Sequence, residues 1–295
     1  MAVKVEKNNY FSIKKTLIAV WDEFVYGGHL LAFGDAVALY VMAVILNIPV
    51  SWDFLVMIYL CVFAANLINR SDEYDNDKLT NPVRVKTMEK YIKLFYPIVI
   101  ICLASSVFLL LYFSGVKALI FAIFIFLISF LYTFILKSFT RYLLGFKNYI
   151  AALFYSLTVF LLVIYYDASL TIAVILIFIF YYLRIFLSSA VCDFKDVEED
   201  NSKGLKTLAI RLGRRKSVFL FDIINIFSGV LIIYGVYKQL LPAFSLGILL
   251  TIPFALYYTH FNPSKKNKEF FFNVIIDGEF VFWLPYIIIG KAILG

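Results

Sequence analysis

Long apolar runs alternate with short polar segments over most of the chain. Runs of about twenty apolar residues are long enough, as α-helices, to cross the hydrocarbon core of a bilayer. Nine runs qualify, at residues 29–48, 51–68, 91–113, 116–136, 149–166, 169–191, 217–237, 241–259 and 273–294. The pattern therefore predicts an all-α fold, a polytopic membrane bundle of nine transmembrane helices.

The composition agrees with this pattern. Of the 295 residues, 63% are hydrophobic and 16% are charged, whereas soluble domains are about half apolar and about a quarter charged. Most of the 27 Lys and Arg residues lie in the N-terminal segment and after the second, fourth, sixth and eighth runs. The positive-inside rule places these segments and the N-terminus in the cytoplasm. Basic loops on the cytoplasmic side of the cell membrane therefore account for the net charge of +7, and no nucleic-acid partner is needed to explain it.

The whole chain, 1–295, reads as a single transmembrane domain. The second and sixth runs each end in an acidic cluster followed by a basic loop, and the interval from Glu73 to Asp196 equals that from Asp77 to Asp200. This correspondence predicts two four-helix pseudo-repeats, helices 1–4 and 5–8, with helix 9 added.

The two acidic clusters are the main candidates for chemistry. Carboxylates this close repel one another unless a cation lies between them, and Mg²⁺ prefers oxygen ligands and completes its shell with water and phosphate. If both helices continue beyond the lipid, each set would lie along one helical face. The two sets are Asn69, Glu73 and Asp77 in the first cluster, which also contains Asp72, and Asp193, Asp196 and Asp200 in the second.

Two motifs extend these clusters. The first reads N69-RSD-E73-YDN-D77-KLT-N81-P82-V-R84, and the second reads D193-FK-D196-VEE-D200-NSK-G204-LK-T207-L208. Both resemble the motifs of the UbiA superfamily of intramembrane prenyltransferases, as does Y132-TFIL-K137 after the fourth run. Glu73 stands where that family has Asp, so Asp72 is an alternative ligand at this position.

The resemblance implies roles for particular residues. Mg²⁺ would be held by oxygens of Asn69, Asp72, Glu73, Asp77, Asp193, Asp196 and Asp200. The diphosphate would be bound by the basic side chains of Arg84, Lys137 and Lys203. Tyr132 would place a hydroxyl near the leaving diphosphate, and it joins Asn69, Arg84 and Lys137 as a catalytic candidate.

The implied reaction is Mg²⁺-dependent transfer of an isoprenyl group from a prenyl diphosphate to a hydrophobic acceptor, aromatic or of the glycerol-phosphate type, within membrane lipid. Two alternatives use the same acidic clusters. One is a terpene cyclase or phosphoribosyl-type transferase on the same scaffold. The other is a divalent-cation transporter, although transporter sites usually lie near the bilayer midplane between paired repeats.

Several ionisable residues fall inside the apolar runs, where charge is costly and usually paired or functional, and four of them are candidates for such roles. They are Asp35, Arg184, Asp277 and Glu279. No pairing among them can be predicted from their positions in the chain.

Overall fold

The computed structural model describes residues 15–90, 92–264 and 267–295. The basic residues Lys4, Lys7, Lys14, Lys265 and Lys266, which contribute to the predicted charge asymmetry, lie outside the described residues. The first half of the fold contains α1 (Lys15–Tyr26), α2 (His29–Ile45), α3 (Trp52–Thr80), α4 (Pro82–Glu89), α5 (Phe95–Phe113) and α6 (Val116–Phe134). The second half contains α7 (Phe146–Ser156), α8 (Thr158–Tyr165), α9 (Ile172–Cys192), α10 (Val197–Ser202), α11 (Leu208–Tyr237), α12 (Thr251–His260), α13 (Lys268–Phe270) and α14 (Trp283–Leu294).

Across those three described stretches, eight continuous helical segments are long and apolar enough to cross a membrane, and several of them join consecutive helices. They comprise residues 52–75, 92–113, 116–134, 146–165, 172–192, 208–237, 243–260 and 268–294, and residues 268–294 are called the last span below. A ninth span results if the bent pair α1 and α2 is counted as one. Each predicted apolar run corresponds to one of these spans, so the all-α membrane architecture is confirmed. The protein is a multi-pass integral membrane protein.

The bend between α1 and α2 is 61° and has an identifiable cause. Gly28 has a φ of 103°, a conformation that glycine adopts without steric cost. A Cβ at this position would lie 3.2 Å from Nη1 of Arg70, and the same Nη1 donates a hydrogen bond to the backbone oxygen of Tyr26. The chain therefore turns around the Arg70 guanidinium, which α3 supplies.

Large apolar side chains face outward along α5 and α6. Ile100 is 63% exposed, Phe108 is 63% exposed and Ile120 is 62% exposed. An apolar surface this continuous is unfavourable in water, so these faces contact the lipid acyl chains.

The helix ends differ from the prediction at one of the two acidic clusters. α3 continues to Thr80, as expected, whereas α9 ends at Cys192 and the chain turns before α10. The prediction that Asp193, Asp196 and Asp200 share one helical face is therefore wrong. Asp193 follows the end of α9, while Asp196 precedes α10 and Asp200 lies within it.

A buried ion pair connects α9 to the last span. Arg184 and Glu279 are both 0% exposed, and the Arg184 guanidinium donates two hydrogen bonds to Glu279 Oε1. Tyr258 donates to Glu279 Oε2 at 2.7 Å, and Asn225 accepts from Arg184 through Oδ1. Two of the four candidates, Arg184 and Glu279, are thus partners of each other and stabilise helix packing.

Candidate active site

The first half of the site is built on the extended end of α3. Because Asn69, Glu73 and Asp77 are four residues apart on a continuous helix, they lie on one face. The Asp77 side chain is buried at 4% exposure. Asn69 Oδ1 and Asp77 Oδ2 are buried without a hydrogen-bond partner among the residues that the structure describes, so this face presents two oxygens that are free to bind a ligand.

Two basic residues neutralise this face. Arg84 on α4 donates a hydrogen bond from Nη2 to Asp77 Oδ1, and the same nitrogen lies 3.9 Å from Glu73 Oε2. Lys137, in the 3₁₀ turn after α6, donates to Asp72 Oδ2 and lies 3.7 Å from Glu73 Oε1. Burial by itself would lower the pKa of the Arg84 guanidinium, but Asp77 and Glu73 outweigh burial and raise that pKa above its usual value.

The second half of the site gathers around a lysine. Lys147 Nζ lies 2.9 Å from Asp193 Oδ1 and donates to Asp200 Oδ2 at 2.7 Å. Asn148 donates to Asp193 Oδ2, also at 2.7 Å. Although α9 and α10 are separate, the first residues of α7 thus bring two of the three aspartates together.

Two of these aspartates have raised pKa values. Burial raises the pKa of Asp200 to about 6 and outweighs the opposing effect of Lys147. Burial also raises the pKa of Asp196, against the effects of Lys195 and Lys147. A cation bound nearby would favour the ionised form of both groups.

Residues that the sequence analysis did not select join the two halves. Lys195 donates from Nζ to Asn81 Oδ1 at 3.1 Å, and Asn81 donates to Asp77 Oδ1 at 2.7 Å. Glu269 Oε1 accepts from the backbone N–H groups of Val83 and Arg84, at 3.1 Å each. Lys147 and Lys195 were counted only as positive-inside anchors, and their sequence neighbours alone did not distinguish them from other loop lysines.

Lys203, predicted to bind diphosphate, has a different environment. It forms an ion pair of 2.5 Å with Glu199, one turn earlier in the chain, and its backbone oxygen accepts a hydrogen bond from Arg141. Unlike Arg84, Lys137 and Lys147, Lys203 forms its ion pair with a carboxylate outside the candidate ligand set, so the structure gives its predicted role no support.

A cavity of about 240 Å³ opens between the two halves and extends toward the membrane interior. Tyr132, Asn69, Arg84 and Lys195 line it beside the acidic clusters. A smaller chamber of about 60 Å³ shares Ala65, Ser129, Phe154 and Tyr155 with this cavity. Its other lining residues are mostly apolar and come from α3, α6 and α8. The arrangement presents a charged mouth, an intermediate cavity and an apolar end.

Comparison with known proteins decides the family. The model of the UbiA prenyltransferase family matches residues 30–276. The chain belongs to the UbiA prenyltransferase family. No curated protein sequence matches it.

Several solved structures share this fold at low sequence identity. The apo UbiA homologue from Aeropyrum pernix K1 is 16% identical, with a TM-score of 0.67 over 88% of this chain and 98% of that one. A UbiA homologue from Archaeoglobus fulgidus, bound to GPP and Mg²⁺, is 14% identical, with a TM-score of 0.59 over 92% and 99%. A digeranylgeranylglyceryl phosphate synthase structure is 15% identical, with a TM-score of 0.56 over 94% and 98%.

The donor atoms of this prenyltransferase suit Mg²⁺. They are carboxylate and amide oxygens, and the two unpartnered oxygens of Asn69 and Asp77 belong to the set. Within the described part of the chain, no three Asp, Glu, His or Cys side chains already lie close enough to hold one ion. The reason is visible in the ion pairs, since Arg84, Lys137 and Lys147 stand between the carboxylates.

Proposed function

We propose that this prenyltransferase transfers an isoprenyl group from a prenyl diphosphate to a hydrophobic acceptor in the membrane, with Mg²⁺ as cofactor. The observation that carries the proposal is the meeting of two carboxylate clusters with buried basic side chains at the mouth of a cavity that ends in apolar residues. The acceptor is either aromatic or of the glycerol-phosphate type.

Each part of the site has a task in this reaction. Asn69, Glu73, Asp77, Asp196 and Asp200 are proposed to hold Mg²⁺, with Asp72 and Asp193 as further oxygen ligands. When bound, Mg²⁺ would stabilise the negative charge that develops on the departing diphosphate.

The basic side chains are proposed to bind the diphosphate oxygens. Arg84 is suited to bidentate phosphate contacts, and Lys137, Lys147 and Lys195 add positive charge beside it. When substrate enters, Arg84, Lys137 and Lys147 would exchange carboxylate partners for phosphate oxygens, which would leave the carboxylates available to the metal. Tyr132 lines the same cavity and is proposed to orient the diphosphate through its hydroxyl.

The site is proposed to face the cytoplasm. Both acidic clusters and the basic residues beside them lie at the same ends of their helices, and the positive-inside rule assigns that end to the cytoplasmic side. Donor and Mg²⁺ would then enter from the cytoplasm, while the acceptor and the isoprenyl tail remain within the bilayer.

The test is Mg²⁺-dependent consumption of labelled geranyl to geranylgeranyl diphosphates by the purified protein, with a panel of acceptors. Three substitutions should each lower turnover by about 100-fold or more, namely Asp77→Asn, Asp196→Asn and Asp200→Asn. Each of them removes a negative charge that would help to hold Mg²⁺ at the site. Asp75→Asn is the matched control, since Asp75 lies on the same helix but is exposed and pairs with Lys78.

Prenylated product that is lost in the three site variants and retained in Asp75→Asn supports the proposal. Absence of donor turnover in the folded wild-type protein at all Mg²⁺ concentrations would contradict it.

A further inference from the structure

The inner wall of the cavity contains a buried carboxyl group that is only half satisfied. Asp35 on α2 is 2% exposed and lines the cavity. Its Oδ1 accepts a hydrogen bond of 2.7 Å from the hydroxyl of Tyr181. Its Oδ2 is buried and has no hydrogen-bond partner among the described residues. Leaving such an acceptor unpaired is unfavourable, so this oxygen calls for a donor from a ligand.

A buried amide lining the same cavity has a hydrogen-bond partner for its oxygen but, in the described part of the chain, none for its nitrogen. Asn66, 9% exposed, lies on α3 one turn farther from the charged mouth than Asn69. Its Oδ1 accepts a hydrogen bond of 3.1 Å from the hydroxyl of Tyr155. Its Nδ2 donates to none of the residues that the structure describes. The cavity wall therefore holds one free acceptor and one free donor.

A hydroxyl group has the chemistry that both atoms lack, because it can donate one hydrogen bond and accept others. A carboxylate or phosphate has no proton to give to Asp35 Oδ2 and would be repelled by that carboxyl group. Asp277 lines the same cavity and adds a second carboxyl group.

The basic residues of the cavity wall already have partners. Arg70 donates to the backbone oxygen of Tyr26, and Arg84 is paired with Asp77. Lys195 donates to Asn81 at the mouth. An anionic acceptor in the inner cavity would therefore compete with these contacts as well as meet the two carboxyl groups.

The remaining lining favours a flat, apolar molecule. Tyr132, Phe154, Tyr155, Phe272 and Phe280 contribute aromatic rings to the cavity wall. Aromatic side chains bind planar rings through stacked and edge-to-face contacts. An aromatic ring that carries a hydroxyl group matches both the polar and the apolar parts of this wall.

We propose that the acceptor is an uncharged phenol or quinol, whose hydroxyl donates to Asp35 Oδ2 and accepts from Asn66 Nδ2. This inference rests on the proposed function and narrows its acceptor, because it disfavours carboxylated aromatics and glycerol phosphates. Asp35 and Asn66 act as specificity-determining residues that select the acceptor and hold its ring beside the donor.

The test measures acceptor binding separately from turnover. The full chain in lipid nanodiscs is titrated with 1-naphthol and with 4-hydroxy-1-naphthoate, which differ by one carboxylate, and protein-free nanodiscs correct for partition into lipid. A 1-O-alkylglycerol phosphate is the third probe. We expect 1-naphthol to bind at least about tenfold more tightly than either anion, because each anion brings a negative charge close to the carboxyl groups of Asp35 and Asp277.

Variants assign the effect to this wall. Asp35→Asn replaces the free acceptor by a donor, and Asn66→Asp replaces the free donor by an acceptor. Each variant should weaken 1-naphthol binding about tenfold. Mg²⁺-dependent binding of the prenyl diphosphate should be unchanged in both. Asp53→Asn is the matched control. Asp53 is equally buried and also accepts from a tyrosine, Tyr165, but it lies at the opposite end of α3 and should change neither affinity.

The possible results separate the two proposals. The proposal that Asp35 and Asn66 select an uncharged phenol or quinol is overturned by either of two results. One is equal or tighter binding of an anionic probe, and the other is an affinity for 1-naphthol that is unchanged in both folded variants. If 1-naphthol binds as expected but wild-type protein does not consume prenyl diphosphate with Mg²⁺, the proposed function fails while the binding site stands.

Discussion

At the scale of single residues, the site is organised by pairing of opposite charges. Lys147 contacts two aspartates, and Arg84 lies against Asp77 and near Glu73. Each pair limits the repulsion that so many adjacent carboxylates would otherwise cause. Removing one member therefore exposes the charge of the other, and the effects on stability should depend on pH.

Asp200 gives the clearest case. Its folded pKa of about 6 is above the usual aspartate pKa of 3.8, so the folded protein binds this proton more tightly than the unfolded chain does. In metal-free protein, the free energy of unfolding should consequently fall as the pH rises from about 4 to 6. Asp200→Asn removes this dependence. The difference in Tm, variant minus wild type, should therefore be larger at pH 7.5 than at pH 5 by about 2 °C or more.

Thermal unfolding in EDTA at the two pH values measures this difference. A Tm difference between variant and wild type that is the same at both pH values would contradict the prediction.

At the scale of elements, helix ends position the charged groups. α3 continues past the lipid and carries one set of candidate ligands on a single face, whereas the second set depends on a turn between α9 and α10. α4 starts at Pro82, and its first backbone N–H groups are satisfied by Glu269 from the last span. The predicted pair of four-helix repeats stays a prediction. The acidic segments of the two repeats fold differently.

Removal of the Glu269 contact should loosen α4 and with it Arg84. Glu269→Ala leaves two helix-terminal N–H groups without their acceptor, so we expect the KM for the prenyl diphosphate to rise about tenfold. Glu269→Gln retains a carbonyl oxygen and should stay within about threefold of wild type. Steady-state kinetics of the two variants would test this, and equal KM values for them would show that Glu269 does not position α4.

At the scale of the whole molecule, lipid replaces water around most of the bundle, and interior polar contacts fix how the spans pack. The pair of Arg184 and Glu279 joins α9 to the last span at full burial. An unpaired charge left in such a place is very unfavourable, whereas removing both charges together can be nearly neutral.

Single and double substitution should separate these two effects. Arg184→Met should destabilise the protein by about 3 kcal/mol or more, because it leaves Glu279 without its cation. Arg184→Met combined with Glu279→Gln should recover most of that loss. Thermal unfolding in one detergent compares the three proteins, and a double variant less stable than Arg184→Met would refute this account of the pair.

The chain by itself determined the fold class, the number of spans and the positions of both acidic clusters. These features depend on local properties, namely the length of apolar runs, the distribution of basic loops and the spacing of carboxylates along a helix. The UbiA resemblance followed from the same local motifs.

Tertiary structure alone decided which groups face one another. Lys147 meets Asp200, Glu269 reaches Arg84, and Asp35 shares a cavity with Asn66, although these residues are far apart in the sequence. Such contacts depend on how helices cross and where each one ends, and a single sequence contains no local signal for either. The two carboxylate clusters were therefore predictable, while their pairing with particular basic side chains and the lining of the inner cavity required the packed bundle.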